Sequence, residues 1–383
     1  MVSSSEFSSL GISPALEKSL KKLSINVPTE VQREVIPAVL EDKNLIVQSP
    51  TGTGKTLAYL LPLLQKLHVE TKDLEVLVLV PSRELVFQVV QLVRMIAQDV
   101  SVASLSGGAS RKRQLENLKV KPKIVVGTPG RVLDLFQKKK LNGQTIRTVV
   151  VDEVDKMMSE GFMGDVLSIL RKTLKSRQVL FFSATIPREI LHKAPELMEQ
   201  PNFILLKGAG RIPEQIKHFY LMCERMKKFV TLERLLKIIQ PKRALVFVTR
   251  PEGVVVIVEY LRKKGFSVVG LHSDLSQNER KNSIKSFREG KNLVLVTTDL
   301  LARGMDFAEV DYVFNFDLPV DAQHYLHRVG RTGRAGKTGA AITLVAENQK
   351  FILYKMARDL GVSLEKMGLD GERIFLIKNR RRK

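Results

Sequence analysis

Short apolar runs that end in a small or polar residue recur along the whole chain. The first half contains Leu45–Gln48, Val76–Val80, Ile124–Val126, Thr148–Val151 and Val179–Phe182. The second half contains Ala244–Val248, Val268–Leu271, Leu293–Val296, Tyr312–Phe316 and Ala340–Val345. Because these runs are unbroken rather than alternating with polar residues, they are typical of parallel strands that are covered on both faces.

Longer amphipathic segments lie between the apolar runs. We predict helices over Leu57–Leu67, Arg83–Ala97, Arg131–Lys139, Lys228–Ile239, Gly253–Lys264 and Ser276–Glu289. Strands that alternate with helices in both halves indicate an α/β protein with two doubly wound, parallel-sheet domains. The polar, glycine-containing segment Lys207–Arg211 is the expected linker, which gives domains over residues 1–207 and 208–383.

Composition is consistent with this reading and excludes several classes of protein. The chain has 383 residues, 44% hydrophobic and 27% charged, as expected for two globular domains. Cys223 is the only cysteine, which excludes an intramolecular disulfide and a multi-cysteine metal site. No apolar run approaches the ~20 residues that a bilayer requires, and the N-terminus lacks the pattern of a secretory signal. We therefore expect a cytoplasmic protein without a membrane partner.

The formal net charge of +22 favours a polyanionic partner. Eleven basic residues lie between Arg111 and Arg147, against only Glu116 and Asp134. A solvated charged face and a nucleic-acid surface both explain this stretch.

The first candidate site is a glycine-rich loop between a predicted strand and a predicted helix. Backbone N–H groups of such a loop surround phosphates, a lysine reaches the β- and γ-phosphates, and a hydroxyl binds Mg²⁺. The alternative, a glycine-rich turn without function, is disfavoured by the strand–loop–helix context. The loop reads Ser49-Pro50-Thr51-Gly52-Thr53-Gly54-Lys55-Thr56.

An acidic cluster follows the predicted strand Thr148–Val151. By itself, the sequence Asp152-Glu153-Val154-Asp155 is typical of a solvated loop or a helix cap. Together with the upstream loop, the acidic cluster provides the carboxylates that are expected in a nucleoside triphosphatase. Asp152 would then hold the metal ion, and Glu153 would orient or deprotonate the attacking water.

With these motifs in place, nearly the whole chain resembles the DEAD-box RNA helicases. Phe7 and the segment Pro28–Gln32 resemble the motif that recognises adenine, with Gln32 bonding the base edge and Phe7 packing against the ring. Val154 stands where the family has alanine, but both catalytic carboxylates are present. The resemblance implies two tandem RecA-like domains joined by a short linker, with ATP and Mg²⁺ bound in the first.

Other segments resemble the family's RNA-contacting and coupling motifs. Glycines allow close approach of a backbone, while arginines and hydroxyls bind phosphates without reading bases. The resemblance places against RNA Pro81, Arg83, Gly107, Gly108, Thr128, Pro129, Gly130, Arg131, Arg250, Ser273 and Thr297. It assigns the coupling of ATP hydrolysis to duplex opening to Asp155, Ser183, Thr185 and His327.

The second domain contains segments that resemble the family's remaining nucleotide-binding elements. Asp306 would meet the ribose, and Gly304 would allow close approach of the backbone. Arg331 and Arg334, in the sequence His327–Arg334, resemble arginine fingers that neutralise charge on the γ-phosphate. The implied catalytic set is therefore Lys55, Asp152, Glu153, Arg331 and Arg334.

The resemblance implies an ATP-dependent RNA helicase with RNA-stimulated ATP hydrolysis and little sequence specificity. Since no appended RNA-binding domain is recognisable and only a short basic tail follows Ile377, we expect specificity to come from protein partners or from flanking segments. We also expect a monomer. Two alternatives stay open: a DNA-directed ATPase with similar paired domains, and an RNA clamp or annealing scaffold with little unwinding.

Overall fold

The chain folds into two compact units, Met1–Gly210 and Arg211–Lys383. The structure, a computed structural model, describes residues 7–50, 52–68, 70–71, 73–107, 110–206, 215–299, 310–333, 338–371 and 373–377. Thr51, Gly108, Gly304, Asp306 and Arg334 lie outside these residues, as do the predicted linker and the basic tail. Within the described ranges, no helix is long and apolar enough to cross a membrane.

The described residues form strands and helices that alternate along each unit. The strands of the first unit are β1 (Leu45–Gln48), β2 (Val76–Leu79), β3 (Val102–Leu105), β4 (Ile124–Gly127), β5 (Thr148–Asp152), β6 (Gln178–Ser183) and β7 (Asn202–Leu205). Those of the second are β8 (Ile216–Met222), β9 (Ala244–Val248), β10 (Val268–Leu271), β11 (Val294–Thr298), β12 (Tyr312–Asn315), β13 (Gly339–Val345), β14 (Leu364–Asp370) and β15 (Arg373–Ile377).

The helices cover both faces of the sheets. The first unit contains α1 (Pro14–Lys22), α2 (Glu30–Leu40), α3 (Lys55–Lys66), α4 (Arg83–Ile96), α5 (Arg111–Lys119), α6 (Pro129–Gln137), α7 (Val154–Ser159), α8 (Met163–Leu170) and α9 (Arg188–Leu197). The second contains α10 (Lys228–Ile239), α11 (Pro251–Lys263), α12 (Gln277–Arg288), α13 (Ala322–Val329) and α14 (Lys350–Leu360). Short 3₁₀ turns span Phe7–Leu10, Gly143–Thr145, Arg225–Lys227 and Glu347–Gln349.

Local sequence signals mark several helix starts. The Ser82 hydroxyl accepts a hydrogen bond from the Leu85 N–H and so caps α4. Reciprocal capping boxes begin α2, through Thr29 and Gln32, and α12, through Ser276 and Glu279. The caps at Ser82 and Ser276 begin α4 and α12 after the loops that follow β2 and β10.

The first sheet is parallel throughout and has the strand order β3-β4-β2-β5-β6-β1-β7. Its central strands are buried on both faces, which explains their unbroken apolar sequences. One apolar layer packs under α1 to α4, and a second packs under α6, α8 and α9 on the other face. This arrangement directs the carboxyl ends of all seven strands to one edge.

The second sheet repeats the strand order of the first. Its order is β10-β11-β9-β12-β13-β8-β14-β15, in which each strand up to β14 occupies the position of its counterpart in the first sheet. All pairs are parallel except β14 with β15, which are antiparallel. The predicted fold class is therefore confirmed, with an antiparallel hairpin added at one edge of the second sheet.

The apolar pattern does not predict five of the strands: β3, β7, β8, β14 and β15. Polar residues interrupt β3, β8 and β14, whereas β7 and β15 carry apolar side chains that are largely exposed. The predicted strands and helices otherwise match the observed ones to within a few residues. The missed strands lie at a sheet edge or next to one, except β8, which lies between β13 and β14.

His218 is a buried polar residue in β8 that burial keeps neutral. Its Nδ1 atom lies 3.0 Å from the hydroxyl of Tyr325, which projects from α13 onto the same face of the sheet. Burial lowers the pKa of His218 from 6.5 to about 4. The folded state therefore binds fewer protons than the unfolded state between these two pH values.

We predict that the second unit loses stability as pH falls from 6.5 towards 4. The loss attributable to His218 is about 3 kcal/mol, because the unfolded chain gains a proton that the folded unit excludes. Urea-unfolding midpoints between pH 7 and pH 4.5 should fall more steeply in wild type than in His218→Gln. A His192→Gln variant, which changes an exposed histidine of the first unit, should keep the wild-type slope; equal slopes in all three proteins would contradict the assignment.

Candidate functional site

The loops that follow β1, β5 and β6 lie side by side at the carboxyl edge of the first sheet. Strand β6 pairs with β1 on one side and with β5 on the other. Beyond the strand ends, the Ser49 N–H donates to the Ser183 carbonyl at 3.0 Å. The glycine-rich loop, the acidic cluster and the segment Ser183–Thr185 are thereby brought together.

The glycine-rich loop is closed by its own side chains. The hydroxyls of Ser49 and Thr53 are 2.6 Å apart, and Ser49 is fully buried. Gly52 and Gly54 have φ values of +81° and +93°, in the left-handed region that favours glycine. The Lys55 ammonium donates to the carbonyls of Ser49 at 2.7 Å and Pro50 at 3.1 Å, which holds its charge inside the loop.

Gln32 braces this loop from α2. Its side-chain nitrogen donates to the Gly54 carbonyl at 3.2 Å, and its oxygen accepts from the Thr29 N–H at 2.9 Å. A Cβ atom at Gly54 would lie 2.5 Å from that nitrogen, and the φ of +93° also favours glycine there. Phe7 is buried in the core of the same unit. The contacts of Gln32 and Phe7 with adenine stay predictions.

Asp152 is a buried carboxylate at the end of β5, beside the loop. The Tyr59 hydroxyl, from the second turn of α3, donates to the Oδ2 atom of Asp152 at 3.3 Å and also interacts with Thr56. Burial and then the neighbouring Glu153 carboxylate raise the pKa of Asp152 to about 6, while the Lys55 ammonium opposes this shift. Asp152 is thus placed among the groups that a phosphate-bound cation would contact.

Glu153 is held in an uncommon backbone conformation directly after Asp152. Its φ and ψ are 56° and 49°, a left-handed geometry that is rare for this residue type and typical of constrained sites. Its N–H donates to Asp152 Oδ1 at 2.8 Å. Its carboxylate pairs at 2.5 Å with the ammonium of Lys156, whose side chain is 1% exposed.

Asp155 connects the acidic cluster to the segment after β6. Its N–H donates to the Ser183 hydroxyl at 3.1 Å. Its Oδ2 atom accepts from the Thr185 N–H at 3.1 Å and from the Thr185 hydroxyl at 3.2 Å. The three first-unit residues predicted to couple hydrolysis to duplex opening therefore form one hydrogen-bonded cluster. His327 belongs to the second unit.

The other half of the same sheet edge carries the residues predicted to contact RNA. Strands β3, β4 and β2 are neighbours in the sheet, so the loops after them are adjacent. A Cβ atom at Gly107 would lie 3.7 Å from the exposed Arg83 guanidinium, which shows that these two loops approach each other. Pro81 and Pro129 are buried, Gly130 is exposed, and Thr128 and Arg131 are half-buried.

The second unit places its predicted RNA contacts in the corresponding position. Ser273, Thr297 and Arg250 belong to the carboxyl ends of β10, β11 and β9, which are adjacent in the second sheet. Arg250 and Ser273 are exposed, whereas Thr297 is fully buried. The Thr297 hydroxyl donates to the Thr298 carbonyl in its own strand. A contact between Thr297 and RNA is therefore inferred from the family resemblance alone.

The arginine-rich segment of the second unit is anchored by Arg328. This buried side chain forms two hydrogen bonds with Asp299, at 2.6 and 2.7 Å, and a third with the Asp317 carbonyl at 2.6 Å. Such a bidentate pair fixes the end of α13 against the carboxyl ends of β11 and β12. His327 and Arg331 are buried beside it, and Arg331 donates to the His327 carbonyl at 3.2 Å.

Three residues of this arrangement were not predicted as site residues: Tyr59, Lys156 and Arg328. Tyr59 lies three residues after Thr56, and Lys156 lies three residues after Glu153. Helical spacing therefore places each of them on the same side of its helix as the predicted site residue. Arg328 lies within the segment His327–Arg334. The spacing was a usable signal, but burial and pairing were visible only in the structure.

The donor set at this edge fits a magnesium-bound triphosphate. It combines backbone N–H groups at the start of α3, the Lys55 ammonium, the Thr56 hydroxyl and the Asp152 carboxylate. Amides and an ammonium complement phosphate, while hydroxyl and carboxylate oxygens are ligands that Mg²⁺ prefers.

We predict that Lys156→Met destabilises the first unit. The variant keeps the apolar stem but leaves the Glu153 carboxylate without its buried partner, a loss of about 3 kcal/mol. Differential scanning calorimetry should show a lower unfolding temperature for this unit. Lys193→Met, which changes an exposed lysine, is the matched control; the same unfolding temperature in both variants would mean that the ion pair contributes nothing.

Comparison with known proteins connects this geometry to a family. The family model described as DEAD/DEAH box helicase matches residues 29–193, and the one described as Helicase conserved C-terminal domain matches residues 227–336. The chain is 39% identical over 363 residues to the DEAD-box ATP-dependent RNA helicase CshA of Bacillus licheniformis, covering 94% of this chain and 74% of that protein. It is 38% identical to CshC of Bacillus cereus, covering 92% and 91%.

Solved structures agree with the sequence relatives. Dbp5 of S. cerevisiae bound to RNA and ADP BeF3 is 32% identical, with a TM-score of 0.86 over 95% of each chain. A DEAD box protein of Methanococcus jannaschii is 34% identical, with a TM-score of 0.58 over 95% of this chain and 99% of that one. The chain belongs to the DEAD-box family of ATP-dependent RNA helicases.

Proposed function

We propose that this protein is an ATP-dependent RNA helicase that couples RNA-stimulated ATP hydrolysis to local opening of RNA duplexes or to remodelling of RNA–protein complexes. The observation that carries the proposal is the convergence of Lys55, Asp152 and Glu153 at one sheet edge, next to a second group of loops suited to phosphate contacts. The relatives named as ATP-dependent RNA helicases support the same activity.

The first unit binds ATP in this proposal. Lys55 contacts the β- and γ-phosphates. The family resemblance assigns recognition of the adenine to Gln32 and Phe7. Thr56 and Asp152 would hold Mg²⁺, which when bound neutralises phosphate charge. Glu153 accepts a proton from the water that attacks the γ-phosphorus, and ADP leaves with the electrons of the broken P–O bond.

The second unit completes the reaction. Arg331 and Arg334 neutralise charge that develops on the γ-phosphoryl oxygens, and Asp306 and Gly304 approach the ribose. RNA that contacts both units favours their closure, so ATP and RNA bind cooperatively. Closure bends one strand and displaces its complement, and loss of the γ-phosphate then releases the RNA.

RNA recognition is proposed to occur mainly through the phosphate backbone. Arg83, Arg131 and Arg250 supply positive charge, and the Gly107 and Gly130 loops allow close approach. Affinity should therefore depend strongly on salt and weakly on base sequence. We also propose a cytoplasmic monomer whose RNA targets are selected with protein partners.

The test is the ATPase and duplex-displacement activity of Glu153→Gln. Removing the proposed base should lower RNA-stimulated ATP hydrolysis by about a hundredfold or more, and displacement with it. Glu189→Gln, an exposed glutamate on α9, is the matched control and should behave like wild type.

Three results would contradict the proposal. Displacement that is equal in wild type and Glu153→Gln would favour the RNA clamp or annealing scaffold. Stimulation by a DNA strand but not by the matched RNA strand would favour a DNA-directed ATPase. Full hydrolysis in Glu153→Gln would remove Glu153 from the reaction.

A further inference from the structure

Helix α14 (Lys350–Leu360) presents one face that the core of the second unit does not use. On its other face, Leu353 and Met356 are buried in the apolar layer that α13 shares with β8 and β13. The helix follows β13, which β12 separates from β9, so it stands apart from the RNA-binding candidates after β9, β10 and β11. It also lies beyond residues 227–336, which the family model of the second unit covers.

Two aromatic side chains occupy the exposed face of α14. Phe351 is 78% exposed, and Tyr354, three residues later, is 37% exposed. Residues three apart on a helix are neighbours on its surface. The Tyr354 hydroxyl oxygen lies 2.5 Å from that of Tyr220 in β8, and the two rings meet edge to face with their centroids 5.7 Å apart. The Tyr354 ring is therefore held in place, with the uncovered Phe351 ring beside it.

Each of these two rings is followed by a basic residue one turn later. Lys355 is four residues after Phe351, Arg358 is four residues after Tyr354, and both basic residues are exposed. Within the part of the chain that the structure describes, neither forms an ion pair. Asp359 is the one acidic residue of the helix. The exposed face thus combines two rings with two positive charges that no carboxylate neutralises.

Strand β14 adds a further cation beside the tyrosine pair. Lys366 is the register partner of Tyr220, so the two side chains project from the same face of the second sheet. The carboxylate that acts on Tyr220 is that of Glu347, which the Lys350 ammonium approaches to 3.7 Å. The charge around the aromatic pair is therefore positive on balance.

These features favour single-stranded RNA over the other partners of an exposed helix face. Aromatic rings stack on any base while cations bind the phosphates, which holds single strands without reading their sequence. A membrane would need the apolar face of the helix, which Leu353, Met356 and Ala357 bury in the core. A second copy of the chain would bring like charges together. A protein partner would have to supply carboxylates as well as apolar groups, whereas RNA carries both rings and charges.

We propose that the exposed face of α14 is a second contact surface for single-stranded RNA. Phe351 and Tyr354 stack on bases, while Lys355 and Arg358 bind the neighbouring phosphates. The surface holds a single-stranded part of an RNA and so raises the local concentration of an attached duplex at the helicase site. This inference rests on the proposed function only in taking RNA as the partner.

The test is the affinity of the full chain for a fluorescein-labelled oligouridylate of about 20 nucleotides, measured by fluorescence anisotropy without nucleotide. Phe351→Leu keeps an apolar side chain but removes the ring, and it should weaken binding about fivefold or more. Phe351→Trp keeps a ring and should bind at least as tightly as wild type. The effect of Phe351→Leu should be the same with ADP–BeF3 present, because this surface is separate from the nucleotide site.

A double variant, Lys355→Gln with Arg358→Gln, tests the two cations. It should weaken binding and lower the slope of log affinity against log salt concentration by about 1.4, as expected for two lost phosphate contacts to a single strand. The matched control, Lys242→Gln with Lys263→Gln, changes two exposed lysines elsewhere on the second unit and should keep the wild-type slope. An unchanged unfolding temperature shows that each variant is folded.

Three results would overturn this inference while leaving the proposed function in place. Wild-type RNA affinity in Phe351→Leu would leave the rings to a protein partner. Equal slopes in the two double variants would remove the cations from RNA binding. An effect of Phe351→Leu that appears only with ADP–BeF3 would assign the residue to the coupling of nucleotide and RNA. A wild type that binds no RNA in any of these conditions would contradict the proposed function together with this inference.

Discussion

The position of β6 between β5 and β1 determines which residues of the first unit can act together. Parallel pairing places the carboxyl ends of these three strands at one edge, and the hydrogen bond from Ser49 to Ser183 extends their contact beyond the strands. The glycine-rich loop therefore meets Asp152, and Asp155 meets Ser183 and Thr185. A further strand between β5 and β1 would move the phosphate-binding groups about 5 Å further from the carboxylates.

The same strand order places the two groups of candidate residues at different halves of the first sheet edge. In the first unit, the loops after β1, β5 and β6 carry the nucleotide-binding candidates, and those after β2, β3 and β4 carry the RNA-binding candidates. In the second unit the loops after β9, β10 and β11 carry RNA-binding candidates, and Arg328 anchors the arginine-rich segment to the carboxyl ends of β11 and β12. The hydrogen bonds of Asp155 join the loops after β5 and β6 within the nucleotide-binding half.

Sequence patterns predicted the centre of each sheet because central strands are unbroken apolar runs, such as Ala244–Val248. They missed β8 and β14, where residues such as His218 and Lys366 interrupt the apolar pattern, and β15, whose apolar side chains are largely exposed. The loop Ser49–Thr56 and the acidic cluster were predicted correctly as neighbours, as strand–loop–helix context implies. The bracing of Gly54 by Gln32 and the pairing of Glu153 with Lys156 depend on packing, which no local pattern encodes.

We propose that RNA and nucleotide each strengthen the binding of the other. The most direct measurement is the affinity for single-stranded RNA with and without ADP–BeF3, in wild type and in Arg331→Ala. The account predicts that the nucleotide analogue tightens RNA binding about tenfold or more in wild type, and that Arg331→Ala removes most of this gain. The same RNA affinity with and without the analogue in wild type would contradict it.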